Sequence, residues 1–247
     1  MPSLTRILIP ACALLAGLAT VASAQGRYAS ELVAIPAGRF TMGGPGGDRD
    51  ERPGREVDVA AFSLGRTEVT LGWYLHCMAE GACEPPSWWS IGYFEEIDKG
   101  LKPEARMRLP VTGVSWRQAQ AFCRWLGPGY ALPTEAEWEY AAGGGKNFKY
   151  PWGNDPKGRR EDASASNRLR PAPSSKPNAF GLHDLATGAW EWVHDCYAER
   201  EGACLTRTTK GGSWSEHTWN LRVANKSFGL ENEGYKGLGF RVVYRAP

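Results

Sequence analysis

Apolar and polar positions alternate in short runs along this 247-residue chain. Residues 32–42 alternate about a Pro-Ala-Gly turn, which predicts a β-hairpin. Residues 57–64 and 239–244 each predict one strand. The 43–55 segment is rich in glycine and charge and poor in apolar side chains, so it predicts a surface loop.

Three segments have the spacing or the start signals of helices. In residues 67–78, apolar side chains recur every four residues, which predicts a helix. Ser115 with Gln118, and Thr134 with Glu137, have the pattern of a capping box, in which each side chain bonds the backbone N–H of the other residue. Each box therefore predicts the start of a helix, and a triple glycine ends the second of these helices.

Few helices, short strands and long polar segments together predict an α+β domain with much irregular structure. The chain contains 11 Trp and 30 Gly, which suits a loop-rich domain whose core is filled by aromatic side chains. It has 29 Lys and Arg against 27 Asp and Glu, so no excess of charge favours nucleic acid or an anionic membrane as a partner.

The N-terminus reads as an export signal. A basic residue precedes an apolar run, and small residues stand at the positions that signal peptidase requires before Gln25. A membrane anchor is one alternative, but the run is short and interrupted by proline and glycine; a lipoprotein attached at Cys12 is another, with a poor motif. We predict a signal peptide at 1–24, one domain at 25–247, a periplasmic or secreted location and no membrane span.

Five cysteines remain in the predicted mature chain. Cys77 and Cys83 flank one short loop that contains glycine, and Cys196 and Cys204 flank another. In an oxidising compartment each local pair predicts a disulfide, with buried thiols as the alternative. Cys123 lies on the apolar face of a predicted helix, and we interpret it as a buried, unreactive thiol.

Several short motifs occur in order over nearly the whole predicted mature chain. They read IPAGRFTMG at 35–43, TEVT at 67–70, PVTGVSW at 110–116, LPTEAEWEYAA at 132–142, AWEW at 189–192, GGSW at 211–214 and GFR at 239–241. The ordered series closely resembles the formylglycine-generating-enzyme (sulfatase-modifying-factor) superfamily. The resemblance implies one compact domain with an irregular variant of the C-type-lectin fold.

The founding activity of that superfamily oxidises a sulfatase cysteine to formylglycine with O2 and Cu(I). Two thiolates hold the copper, and such soft ligands suit Cu(I). The resemblance places these cysteines shortly after the Gly-Gly-Ser motif, the first of them three residues beyond the serine. Here Glu216 occupies that first position, and residues 211–222 contain no cysteine. We therefore predict that copper and the formylglycine reaction are absent from this chain.

The resemblance also implies a structural calcium site around the Trp-Glu-Trp segment. Carried over by position, its ligands are the side chains of Asp184 and Glu191 and the carbonyl groups of Thr187 and Ala189, a mixed oxygen set that Ca2+ prefers. The superfamily's Gly-Asn before the aromatic pair is Thr-Gly here. A second calcium site would begin at residues 167–168, but its remaining ligands fall in a segment that this chain lacks.

The motifs also suggest a candidate binding surface. Its residues are Trp190, Ser213, Trp214, Glu216, His217, Arg222, Glu231 and Asn232. Aromatic side chains commonly anchor ligands in such a cleft, whereas the alternative is that the tryptophans belong to the core, as we interpret Trp192. Glu216 and His217 are either a polar rim of the cleft, a pair of metal ligands or an acid–base pair.

Three functions are consistent with the sequence. The first is maturation of an exported peptide-like substrate by oxidation with other catalytic groups, since the resemblance extends to periplasmic proteins that mature siderophore chromophores. The second is a non-enzymatic, lectin-like module that binds an exported peptide, protein or small molecule. The third is a true formylglycine-generating oxidase, which the missing cysteine pair makes the weakest. The fold alone does not decide among them.

Overall fold

The computed structural model of the chain describes residues 26–44, 46–86, 89, 100–158 and 168–246. The predicted signal peptide and residue 167 lie outside these ranges. The strands are β1 Leu32–Ile35, β2 Gly38–Met42, β3 Arg55–Val59, β4 Phe62–Gly65, β5 Tyr130–Ala131, β6 Trp190–Arg200, β7 Ala203–Lys210, β8 Lys226–Gly229, β9 Leu238–Gly239 and β10 Val243–Tyr244. The principal α-helices are α1 Leu71–Ala79, α2 Pro103–Arg106, α3 Trp116–Leu126 and α4 Glu135–Ala142.

The strands form three small sheets. The first has the order β1-β4-β10-β5, the second pairs β2 with β3, and the third has the order β8-β7-β6-β9. β6 and β9 run parallel, while the two pairs β6–β7 and β7–β8 are antiparallel. Short strands, few helices and long connecting segments confirm the predicted α+β class.

The hairpin predicted about Pro36 is wrong, because the two strands on either side of it join different sheets. β1 pairs with β4 and β2 pairs with β3 in one continuous register, with Ile35 opposite Phe62 and Gly38 opposite Val59. β1 with β2, and β3 with β4, are therefore the two arms of a single long hairpin, and both arms bend at the same level. Proline fits the bend because it has no N–H to donate to a strand ladder.

The other two predicted strands are each divided between two sheets. Residues 57–64 bend with the long hairpin and contribute to β3 and β4. Residues 239–244 begin in β9 and end in β10, so the prediction of one continuous strand there is wrong. Between them, the carbonyl groups of residues 240 and 242 accept hydrogen bonds from the N–H groups of Val69 and Gly65. The chain thus crosses from the third sheet to the first.

Both predicted capping boxes are present. The Ser115 side chain accepts a hydrogen bond from the Gln118 N–H and the Gln118 side chain accepts one from the Ser115 N–H, and Thr134 and Glu137 do the same. α4 ends at the triple glycine, as predicted. α1 begins later than predicted, because the segment before it bonds to neighbouring strands and loops instead.

Two large apolar clusters form the core. One contains the apolar faces of α1 and α3, with Phe122 at its centre, and the other contains Leu64 and Trp138. Trp192 is fully buried in the first cluster and donates its indole N–H to the Val114 carbonyl oxygen. Its interpretation as a core residue is confirmed.

The cysteines are arranged as predicted. Cys77 is bonded to Cys83 and Cys196 to Cys204, while Cys123 is free and buried. Each disulfide closes a short local loop, which restricts the unfolded chain. In the part of the chain that the structure describes, no helix is long and apolar enough to cross a membrane.

Replacing Thr134 by alanine tests the second capping box. The variant loses a side-chain acceptor at the start of α4, and we expect the free energy of unfolding in urea to fall by about 1 kcal/mol. Thr70 supplies a matched control, because it is the N-cap residue of α1 but makes no side-chain capping bond. Equal losses for Thr134→Ala and Thr70→Ala would contradict the role assigned to the box.

Candidate functional site

The Gly-Gly-Ser segment leaves the end of β7 through two glycines with left-handed backbone, with φ of 99° at Gly211 and 79° at Gly212. A Cβ atom on Gly212 would also lie 3.0 Å from the Asn220 carbonyl oxygen. Glycine is therefore required here for both conformation and space. The turn places Trp214 beside the start of β6, where its N–H donates to the Gly188 carbonyl oxygen.

Glu216 follows this turn and is held by two side chains. It accepts a hydrogen bond from Trp190 Nε1 at 3.2 Å and another from Asn220 Nδ2 at 2.8 Å. Its neighbour His217 is exposed and precedes the short 3-10 helix Thr218–Leu221. Across the described ranges, no three His, Cys, Asp or Glu side chains converge as a metal-binding group.

Every cysteine among the described residues is either disulfide-bonded or buried. Four cysteines form the two disulfides, and Cys123 lies in the core with 1% of its surface exposed. Burial raises the pKa of the Cys123 thiol to about 12, so it is protonated at neutral pH. The described chain therefore presents no pair of thiolates beside Glu216.

The residues predicted to form one binding surface fall into separate neighbourhoods. Trp190 and Glu216 contact each other and are half-buried. Ser213 and Trp214 are buried behind them, and Trp214 packs in a small apolar cluster with Leu109. These two residues support the turn rather than face solvent, so the alternative interpretation of Trp214 as core is the better one.

Glu231 and Asn232 belong to a second neighbourhood. Glu231 pairs with Arg207 at 2.6 Å and with Arg117 at 2.8 Å, which ties its loop to β7 and to the start of α3. Asn232 is exposed beside it. Among the described residues, neither forms a hydrogen bond or an ion pair with Trp190, so these predicted residues do not form one bonded cluster.

Arg222 belongs to a third neighbourhood, together with two acids from a segment predicted as a surface loop. Its Nη2 lies 3.0 Å from Asp48 Oδ2 and 2.5 Å from Glu51 Oε1, and its guanidinium stacks 3.8 Å from the centre of the Trp219 ring. The surface-loop prediction is wrong at Glu51, because the 3-10 helix Arg49–Glu51 turns this side chain inward. Burial raises the pKa of the Glu51 carboxyl.

A cavity of about 390 Å³ lies beside Arg222 and was not predicted from the sequence. Its lining includes Phe40, Glu51, Lys146, Phe148, Lys149 and Val223. Gly43, Gly44, Gly46 and Gly47 form part of its wall. That run of glycines was the sequence signal for the cavity, but it was interpreted only as a loop.

Glu191 of the Trp-Glu-Trp segment is fully buried and paired with Arg241. Two guanidinium nitrogens of Arg241 lie 2.7 Å from the two carboxylate oxygens, and Trp138 Nε1 lies 2.7 Å from Oε2. The carboxylate therefore accepts three charge-assisted or neutral hydrogen bonds from the described residues, only one of them at Oε1. The predicted carbonyl ligands, Thr187 and Ala189, are buried in the adjacent turn.

Two further buried carboxylates lie near that turn. Asp184 accepts hydrogen bonds from Ser174 and from the Ser175 N–H. Glu68, which was not singled out from the sequence, accepts one from the Ala189 N–H at 2.9 Å through Oε1. Its Oε2 is buried and has no hydrogen-bond partner among the described residues. Burial, and then the negative charge of Asp184, raise the pKa of Glu68 well above its usual range.

The model of the sulfatase-modifying factor enzyme 1-like domain family matches residues 18–246. The chain belongs to this family. It is 30% identical over 259 residues to the formylglycine-generating enzyme of Thermomonospora curvata, covering 84% of this chain and 85% of that enzyme. It is 29% identical over 269 residues to the inactive C-alpha-formylglycine-generating enzyme 2 of Mus musculus, covering 87% and 86%.

Solved structures confirm the fold of this sulfatase-modifying-factor-like domain. Treponema denticola variable protein 1 superposes with a TM-score of 0.72 at 22% identity and covers 87% of this chain and 95% of its own. PvdO from Pseudomonas aeruginosa superposes with a TM-score of 0.66 at 26% identity over 87% and 94%. The irregular, C-type-lectin-like architecture predicted from the motifs is thereby confirmed.

The buried Glu191–Arg241 pair is expected to contribute strongly to the stability of this sulfatase-modifying-factor-like domain. Glu191→Gln keeps the shape of the side chain but leaves the Arg241 guanidinium buried without its counter-charge. We expect the free energy of unfolding to fall by about 3–5 kcal/mol. Asp58→Asn breaks the exposed Arg39–Asp58 pair and serves as the control, with little change expected in the urea midpoint. Similar small effects in both variants would contradict a structural role for the buried pair.

Proposed function

We propose that this chain is an exported member of the family that binds a peptide, protein or small molecule and does not generate formylglycine. One observation carries the proposal. At the position where the resemblance places the first copper thiolate stands the Glu216 carboxylate, already bonded to Trp190 and Asn220. A carboxylate is a hard ligand, whereas Cu(I) selects soft thiolates.

The distribution of thiols supports the same proposal. Cys123 is the free cysteine of the described residues, and its burial in the α3 face keeps it protonated and away from solvent. Thiolate-based oxidation at the Gly-Gly-Ser turn would need a second chain or a rearranged core. The mouse relative is itself named inactive, so the family includes members described in that way.

Export is supported by the chemistry of the cysteines. Two disulfides, Cys77–Cys83 and Cys196–Cys204, form and persist in oxidising compartments such as the periplasm or the extracellular space. The predicted signal peptide at 1–24 agrees with that placement. The ligand of an exported domain is itself exported or exposed outside the cell.

The formylglycine reaction can be tested directly. The purified mature chain is incubated with Cu(I), O2 and a sulfatase peptide that contains the target cysteine, and O2 uptake and peptide mass are followed. We expect no uptake and no mass change, because Glu216 supplies no thiolate. The Thermomonospora curvata enzyme, assayed in parallel, is the positive control. Turnover by this chain with bound copper would overturn the proposal.

We also propose a structural calcium ion at the turn that precedes β6, held by Glu68 and Asp184 with the carbonyl groups of Thr187 and Ala189. The support is the unpartnered Glu68 Oε2 and the grouping of three buried carboxyl groups with one buried guanidinium. The carboxyl groups of Glu68, Asp184 and Glu191 are all buried. The buried Arg241 guanidinium interacts electrostatically with all three. Ca2+ accepts carboxylate and carbonyl oxygens together.

Calcium binding is measured by thermal unfolding after treatment with a chelator. Ca2+ at roughly 100 times its Kd is expected to raise the free energy of unfolding by about 2.7 kcal/mol, because it binds the folded chain only. Asp184→Asn should abolish this dependence, whereas Asp58→Asn, an exposed control, should retain it. The same unfolding temperature with and without Ca2+ would refute the calcium proposal and leave the binding proposal untouched.

A further inference from the structure

Exposed apolar side chains gather on the third sheet. They are Tyr197 of β6, Leu205 of β7 and Phe228 of β8, with Leu230 directly after β8. Phe228 is 56% exposed, and its ring stacks on that of Tyr197 with the ring centres 4.8 Å apart. We call Tyr197, Phe228 and Leu230 the edge patch. Contiguous apolar surface on a folded domain commonly marks a site where a partner binds.

Phe228 lies on an edge strand whose outer side is unpaired. Within the described residues, β8 ends the order β8-β7-β6-β9 and pairs only with β7, in a register that sets Phe228 opposite Thr208. Beyond that ladder, the backbone groups of residues 226–229 form no hydrogen bond with the rest of the described chain. In a strand paired on one side, alternate residues point their N–H and C=O groups outward. An extended peptide presents the complementary row of donors and acceptors.

The charge that commonly protects an edge strand is neutralised in β8. A lysine on an edge usually discourages pairing with another chain. β8 carries Lys226, but its ammonium group lies 3.1 Å from Glu135 Oε1, and the side chain is only 18% exposed. The other residues of the strand, Ser227, Phe228 and Gly229, are uncharged. Charge therefore does not keep a peptide backbone away from this edge.

Two carboxylates flank the edge patch. Asp50 Oδ2 accepts a hydrogen bond from the Tyr197 hydroxyl at 3.0 Å. Glu233 Oε2 accepts one from the Tyr235 hydroxyl at 3.1 Å, and the oxygen of that hydroxyl accepts the Leu230 N–H. Neither carboxylate forms an ion pair with the described residues. One acid thus lies at each end of the patch, which favours a ligand with positive charge at both ends.

We propose that β8 binds an extended peptide by strand addition, and that the peptide carries apolar side chains between two basic residues. Its backbone pairs with the outer edge of β8, its apolar side chains cover Phe228, and its basic side chains approach Asp50 and Glu233. This rests on the binding function proposed above and names the class of its ligand. Turnover in the formylglycine assay would overturn that function and leave the edge untouched, whereas absent peptide binding would overturn the edge alone.

The test uses the mature chain and a fluorescent peptide, Lys-Thr-Val-Thr-Val-Thr-Lys, whose alternation places the lysines and valines on one face. Binding is followed by fluorescence anisotropy. Exchange of both lysines for glutamates should weaken binding roughly tenfold or more, because repulsion from Asp50 and Glu233 replaces attraction. No binding of the lysine peptide up to roughly 1 mM, or equal binding of the glutamate peptide, would overturn the proposal.

Backbone pairing is tested with two N-methylated forms of the lysine peptide, one methylated at the valines and the other at the threonines. In strand addition, only every second residue of the peptide donates its N–H to β8. One form should therefore bind roughly tenfold or more weakly, while the other should retain the affinity of the parent peptide. Equal affinities of the two forms would contradict strand addition.

Variants of the chain separate the edge from non-specific binding. Phe228→Ser and Glu233→Gln should each weaken binding of the lysine peptide roughly tenfold. Both side chains are exposed, so the fold does not depend on them. Met107→Ser removes another exposed apolar side chain, at the end of α2 and outside the third sheet, and should leave the affinity unchanged. Unchanged affinity in Phe228→Ser would contradict the assignment.

A second copy of the chain is the other occupant that a free edge could take. Analytical ultracentrifugation of the mature chain alone, over a range of concentrations, distinguishes the two. We expect a monomer. A concentration-dependent dimer that Phe228→Ser dissociates would assign the edge of β8 to a second copy and overturn the peptide proposal.

Discussion

The pairing of Glu191 with Arg241 is the interaction on which the arrangement of this domain depends. A guanidinium buried to 0% exposure is tolerable only when its charge and its N–H groups are satisfied. Arg241 meets this demand by bonding Glu191 of β6 and the carbonyl groups of Gly65 and His183. Three distant segments are thereby fixed to the chain that crosses from the third sheet to the first. The crossing explains why residues 239–244 are not one strand.

A second set of buried charges determines the position of the cavity. Glu139 of α4 accepts from the Gly43 N–H at 2.6 Å and from Lys210 Nζ at 2.8 Å. Lys210 also donates to the Ala224 carbonyl oxygen at 3.0 Å. Glu139 therefore holds the Gly43 turn directly, and it holds the segment after Arg222 through Lys210. Both segments line the cavity, so this buried pair connects two parts of its wall.

Local features of this fold were predictable, while the pairing of distant segments was not. The two capping boxes and the two short-range disulfides depend on residues three to eight positions apart, and all four are present. Strand partners depend on which segments share a buried face, and no sequence pattern distinguishes a hairpin at Pro36 from a bend there. Glu68 was missed for the same reason, since a glutamate in a short motif carries no sign that tertiary contacts will bury it.

The short helix Thr218–Leu221 connects the two regions where this chain differs most from the sequence-based expectation. Asn220 bonds Glu216 on one side, while Trp219 stacks on Arg222 and donates to Asp48 on the other. A carboxylate at 216 therefore has a structural consequence as well as a chemical one, because it holds the helix that positions Arg222. Through Asn220, the Glu216 carboxylate also contributes to ordering the wall of the neighbouring cavity, to which Arg222 belongs. Its two hydrogen bonds hold the loop after the Gly-Gly-Ser turn in one position, so the order of this loop does not require a bound metal ion.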